Sequence, residues 1–216
     1  MNFILESVCS VCNTIRFRTK PSTGFQTLLF TARKEFRNKN FELRILTRRK
    51  SFLDFDEYYV NAYYDAVDDE LLEIPIEIII FHNFDYSKSW DRRQTTQLLI
   101  QIYDALVHEF KHQSQSHKRK YRLFWTGYNY LEDPDEIDAY AVSIAIELIR
   151  NLGKYRAIRY LSKPELLSNL KTNECLVSPN LHAYLSEYKP SDKTIKSLLK
   201  KTYKHLQKID ADTIFL

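Results

Sequence analysis

The sequence predicts an α+β fold: a small mixed sheet packed on a long central helix, followed by a helical C-terminal part. Two observations carry this. Segments of the first half alternate apolar and polar side chains or are rich in Tyr and Val, as strands are. Two later segments instead repeat apolar residues every three or four positions over many turns, which is the helical period.

Taken in order, Ile4, Leu5, Val8, Val11, Cys12 and Ile15 fall at helical spacing over 3–15, and Pro21, Ser22 and Gly24 punctuate the chain beyond that helix. A second helical pattern carries Phe25, Leu28, Leu29, Ala32 and Phe36. Phe41, Leu43 and Ile45 alternate with Glu42, Arg44 and Leu46, predicting a strand over 41–47, and 58–64 also reads as extended. An acidic connection, Ala66 to Glu73, leads to Pro75 and a strand over 76–81. There one face is polar at Glu77 and apolar later, so this strand is expected near a sheet edge. Three or four strands are expected in all.

Residues 92–117 form the first strong helical pattern, with Leu98, Leu99, Tyr103, Leu106, Val107 and Phe110 as its stripe. Aromatic residues Tyr121, Phe124, Trp125, Tyr128 and Tyr130 surround Gly127 in a loop or hairpin. Asp133 suits a helix N-cap and Pro134 a first turn, opening a helix that Gly153 ends. Its core face is Ile137, Ala141, Ile144, Ala145 and Leu148. The remainder reads as short helices separated by Pro164, Pro179 and Pro190.

With 216 residues the chain suits a single domain over 1–216, with a core at 41–152, an N-terminal helical extension at 1–40 and C-terminal helices at 154–216. No apolar run is long enough to span a bilayer, and the first residues do not read as a signal peptide. Three cysteines make a sparse and odd set, so a reducing, cytoplasmic setting is expected. Cys9 and Cys12 fall near the apolar side of the first helix and read as buried small hydrophobes, while Cys175 is isolated. Only three glycines are present, and no phosphate-cradling fingerprint occurs.

Basic residues cluster at 33–50 and at 193–208. In the second cluster Lys193, Lys196, Lys200 and Lys204 lie opposite Ile195, Leu198, Leu199 and Leu206, the pattern of a docked surface helix. Net charge is only +4, so nucleic acid is not the expected partner. Such contact would require basic patches to converge in space with aromatics.

The stretch that carries chemistry is His108-Glu109-Phe110-Lys111-His112, an H-E-x-x-H. Two histidines four apart stand on one helical face, so both imidazoles reach one metal ion, and the glutamate between them can touch a water on that ion. A catalytic site of this kind takes three protein ligands and keeps one position open. A third histidine six residues beyond His112 is absent: Lys118 stands there, and His117 misses by one residue, about 100° round a helix. The other source is a carboxylate on the next helix, Glu136, with small neighbours Ala139 and Ala141 to permit close helix approach. Against this stands a plainer account, in which the two histidines decorate a solvated face and Glu136 merely suits a helix N-terminus. His82 ends the 76–81 strand where it could face a cleft; like His117, it is more commonly a hydrogen-bonded histidine than a ligand.

His108-Glu109-x-x-His112 followed by Glu136-Ile137-Asp138-Ala139-Tyr140-Ala141 resembles the gluzincin metallopeptidases, most closely the compact members of bacteria and their phages, including ImmA/IrrE-like peptidases. The resemblance covers roughly 76–150. It implies a zincin-like fold, Zn²⁺ held by His108, His112 and Glu136, and Glu109 as general base in peptide-bond hydrolysis. It also implies a protein or peptide substrate paired with an edge strand, which 76–81 resembles. One departure is Tyr140, where thermolysin-like members carry an acidic residue that orients a histidine; Asp104 is a candidate to replace that support. Candidate oxyanion donors are Tyr128, Tyr130, Tyr140 and His182. The competing class is a catalytically silent zincin fold serving as a structural or binding module, such as a phage-particle component.

Overall fold

The computed structural model describes residues 2–20, 22–54, 57–86, 88–121, 129–162 and 177–216. They form a mixed α+β structure that packs as two compact units, one of Phe3–Tyr121 with Phe215, the other of the described residues in Arg122–Ile214 with Asn2 and Leu216. Among the described residues no helix is long and apolar enough to cross a membrane.

In the first unit the elements run α1 (Asn2–Arg18), β1 (Thr23–Gly24), α2 (Phe25–Asn38), β2 (Leu43–Arg49), β3 (Tyr58–Tyr64), α3 (Ala66–Glu70), β4 (Ile76–His82), β5 (Ser89–Trp90) and α4 (Arg92–Lys118). The main sheet has the order β2-β4-β3, with β2 parallel and β3 antiparallel to β4. β1 and β5 make a separate two-stranded ladder.

β4 is therefore the central strand, and the expectation that 76–81 lies at an edge is corrected. Ile76, Ile78, Ile79, Ile80 and Phe81 are all buried, as a strand flanked on both sides requires. Each such burial contributes about 1.5–3 kcal/mol of transfer free energy. The misleading residue is Glu77, which faces Arg44 across the β2–β4 pair, 3.8 Å from its guanidinium. Phe81 is covered by Tyr59, stacked at 4.7 Å, and by the Lys50 ammonium 5.2 Å above its ring.

The open edges are blunted by side chains, as edge strands commonly are. On β2, the Arg33 guanidinium donates twice to the Ile45 carbonyl, at 2.8 and 3.0 Å. On β3, the Val60 N–H donates to Gln101 Oε1 of α4 at 3.2 Å, so it points away from β4. By the alternation of an antiparallel ladder, Tyr58, Ala62 and Tyr64 present their backbone groups the same way.

α4 starts in a reciprocal capping box: Asp91 Oδ1 accepts from the Gln94 N–H at 2.7 Å, and Gln94 Oε1 accepts from the Asp91 N–H at 3.0 Å. Leu98, Leu99, Ile102, Tyr103, Leu106 and Val107 bury its apolar stripe. Its far end is tied down by Asp69 of α3, which accepts from Gln113 Nε2 at 3.2 Å and from Tyr64 Oη at 2.7 Å, and lies 2.6 Å from His117 Nε2. Cys9 and Cys12 are buried thiols outside any disulfide, as their place on the apolar side of α1 implies; burial pushes the Cys9 thiol up. Cys175 lies outside the described residues.

In the second unit a short 3₁₀ turn (Tyr130–Glu132) precedes α5 (Pro134–Leu152), α6 (Lys154–Leu161), α7 (Pro179–Glu187) and α8 (Lys193–Lys208). Asp133 caps α5, accepting from the Asp135 N–H at 2.7 Å, with Pro134 in the first turn. Residues 141–149 of α5 are all buried, so this helix is the hub of the unit. Gly153 stops it at φ +77°, a conformation in which any Cβ is strained. α8 packs on α5 with Ile195, Leu198 and Leu206, and its sixteen residues exceed the short helices expected here.

Candidate metal centre

His108 and His112 lie in the middle of α4, both half-buried, with Nε2 atoms 3.1 Å apart. That separation has a meaning: ligands at zinc-like bond lengths of about 2.0–2.1 Å in a tetrahedron lie about 3.3 Å from one another. Nδ1 of His112 lies 3.1 Å from Gln115 Oε1. A proton on Nδ1 donated to that carbonyl leaves Nε2 with its lone pair outward, the tautomer a metal requires. Gln115 thus supplies an orienting contact to His112 that the sequence reading did not name. Its signal was available as an amide three residues beyond a histidine on the same helix. Glu109 is 8 % exposed, next in sequence to His108.

Gln101, His108 and His112 share one helical face, because spacings of seven and eleven residues are about two and three turns. Gln101 on that face reaches the outward edge of β3, so the imidazole pair and the sheet edge belong to the same side of α4. Beside this edge is a cavity of about 620 Å³ whose walls include Tyr58, Tyr59, Gln97, Ile100 and Gln101.

Glu136 sits in the first turn of α5, where the helix dipole favours a carboxylate. The end of the helix that holds it is fixed by α8: Lys201 Nζ donates to the Pro134 carbonyl at 2.7 Å, and His205 Nε2 lies 2.9 Å from Asp138 Oδ1. Asp138 is thereby committed to α8. Tyrosines gather round Glu136, with Tyr140 5.3 Å from Tyr184 and 6.3 Å from Tyr130, ring centre to ring centre. The Tyr130 residue is largely exposed, but its hydroxyl is pushed well above the usual range by burial, then by Tyr140 and Glu136. Burial and the neighbouring Tyr140 and Glu136 raise Tyr184 likewise. The Tyr184 hydroxyl is fully buried and has no hydrogen-bond partner among the described residues. Sequence reading did not single out Tyr184; it is marked only by its place one turn into α7, after the Pro179 start.

Among the described residues, His108, His112 and Glu136 are a group whose ligand atoms all lie within 4.8 Å of one another, and which could hold a metal ion. Two imidazole nitrogens and one carboxylate oxygen suit a divalent ion of borderline softness. His117 is engaged with Asp69. His82, placed by its sequence position at a cleft, is instead 0 % exposed in an aromatic nest. Tyr128 lies outside the described residues, and His182 is half-buried on α7.

Comparison with protein-family models, curated proteins and solved structures finds no match to this chain.

Proposed function

We propose that this protein is a zinc-dependent peptidase of the zincin type. The observation that carries the reading is the convergence of His108, His112 and Glu136 ligand atoms within 4.8 Å. Support comes also from Glu109, which lies between the two histidines in the buried part of the same helix. A bound divalent ion would supply Lewis acidity and bring a coordinated water's pKa towards about 7.

The side chains do the rest. Gln115 holds His112 in the ligating tautomer, and the α8 contacts fix the end of α5 that carries Glu136. Glu109 takes a proton from the attacking water and returns it to the leaving amine. A substrate in extended form pairs with the outward edge of β3, which replaces 76–81 in that role, and displaces the Gln101 side chain from Val60. Tyr130, Tyr140 and Tyr184 are the hydroxyls placed around Glu136 to stabilise developing negative charge.

The test combines metal content with cleavage. Elemental analysis should give about one zinc per chain, and unfolded casein should be cut in a chelator-sensitive way. Glu109→Gln should keep the metal while cleavage falls about 10²–10⁴-fold. A Glu109→Gln protein that cleaves like the parent removes the base assignment. Metal bound without any cleavage by the parent favours the silent binding module.

A further inference from the structure

We propose that α6 and α8 together form a binding surface for the phosphate backbone of a nucleic acid. The two helices pack against each other in one unit. Lys154 Nζ at the start of α6 donates to the carbonyls of Gln207 (3.3 Å) and Ile209 (2.7 Å) at the end of α8, which fixes their junction. Neither helix contains a single Asp or Glu. Lys193, Lys196, Lys200, Lys204 and Lys208 of α8 are all exposed, as are Arg156 and Arg159 of α6.

Helical geometry makes the five lysines one stripe. At about 100° per residue they fall within a sector of roughly 120°, and at 1.5 Å per residue they extend over about 22 Å. Neighbours along the stripe are about 4.5–6 Å apart in rise. Exposed aromatics lie among these charges: Tyr155 is 79 % exposed and Tyr203 37 %. Cations joined by aromatics are the footprint of nucleic-acid contact. These cations share two packed helices that carry no carboxylate. A field of one sign concentrated on one face is what draws a polyanion.

A lipid surface is the other polyanion to weigh. An amphipathic helix that lies in a bilayer needs a free apolar side. That side of α8 is spent, because Ile195, Leu198 and Leu206 are each 0 % exposed. The large hydrophobic residues left exposed on these helices are the two tyrosines. The surface therefore fits phosphates approached from water rather than an acyl layer.

Fluorescence anisotropy on the 216-residue protein tests this, using a labelled duplex and a labelled oligo-dT. Neutralising about five phosphates predicts a log–log salt slope near −4.5, so affinity falls about 500-fold between 50 and 200 mM salt. Lys196→Gln/Lys200→Gln/Lys204→Gln should flatten the slope to near −1.8, with circular dichroism checking that α8 survives. Arg44→Gln/Arg48→Gln/Arg49→Gln, on β2, should leave the slope unchanged. The proposal is overturned by no binding at 50 mM salt, or by a lysine triple that binds like the parent. Equal loss in both triples overturns it too, since diffuse charge would then suffice. So does salt-resistant binding to phosphatidylglycerol vesicles with none to either oligonucleotide.

Discussion

Two histidine settings in the same unit differ in one physical respect. His82 is 0 % exposed, with Nδ1 3.1 Å from the Phe84 carbonyl and Nε2 3.3 Å from the Tyr86 hydroxyl, which in turn lies 2.9 Å from Thr47 Oγ1. Phe25, Phe84 and Tyr86 pack round the ring. A neutral imidazole satisfies this chain completely, donating from Nδ1 and accepting at Nε2. His108 and His112 instead turn their Nε2 atoms towards each other at 3.1 Å. One proton shared between them makes an N–H···N hydrogen bond, but when both rings carry their proton on Nδ1 two lone pairs converge, and a cation between them is what both nitrogens favour. The direction of the ring nitrogens, more than burial, thus separates a structural histidine from a ligand.

Substituting each histidine in turn puts that distinction at risk. His112→Ala removes a ligand and should lower metal affinity by well over 100-fold, more than loss of an orienting contact costs, with little change in the unfolding midpoint of metal-free protein. His82→Ala should do the reverse. It leaves a cavity and strands the Phe84 and Tyr86 groups, costing about 2–4 kcal/mol, while metal affinity in the folded fraction stays as in the parent. Chelator competition and urea unfolding read the two effects separately. A His82→Ala protein that folds normally yet loses metal would dissolve the distinction.

A smaller effect bears on how the ligand ring is aimed. Gln115→Ala deprives His112 of its orienting carbonyl and should weaken metal binding about 10–100-fold. Gln115→Glu, which restores an acceptor in that place, should recover most of the loss. If neither substitution changes affinity, the 3.1 Å contact between Gln115 and His112 plays no part in ligand orientation.

Local signals explain what was legible. α4 and α5 were readable because each repeats apolar residues over many turns, and α5 also begins at a capping residue legible in the sequence, Asp133. Cys9 and Cys12 were placed correctly by the same periodicity. What misled was pairing partners remote in sequence. Glu77 read as a solvated face because nothing local shows that Arg44 stands opposite it once β2 and β4 align in parallel. His82 looked accessible because its aromatic nest is assembled from Phe25, Phe84 and Tyr86, on both sides of the sheet strands in sequence. Gln115 and Tyr184 went unread for another reason: single polar or aromatic residues carry no periodic signature, and only geometry distinguishes them from surface decoration.

The smallest expected effect is the share of the pH dependence that His82 adds. Burial holds its pKa below the ordinary 6.5, outweighing the contact to the Phe84 carbonyl that acts the other way, and Arg49 lowers it further. Above about pH 6.5 the ring is neutral folded and unfolded, so it adds no pH dependence. Below that value the unfolded chain takes up a proton that the folded chain refuses, and stability falls with pH until the folded pKa is reached. The slope reaches at most about 1.4 kcal/mol per pH unit for one proton. Urea unfolding of metal-free protein between pH 5 and 8 should show a steeper decline towards low pH in the parent than in His82→Gln. Metal-loaded protein adds a separate loss at low pH, since protonated imidazoles release the ion, and His82→Gln should retain that part in full. Identical pH profiles in the metal-free parent and His82→Gln would mean that His82 titrates alike in both states, and its nest would no longer contrast with the α4 pair.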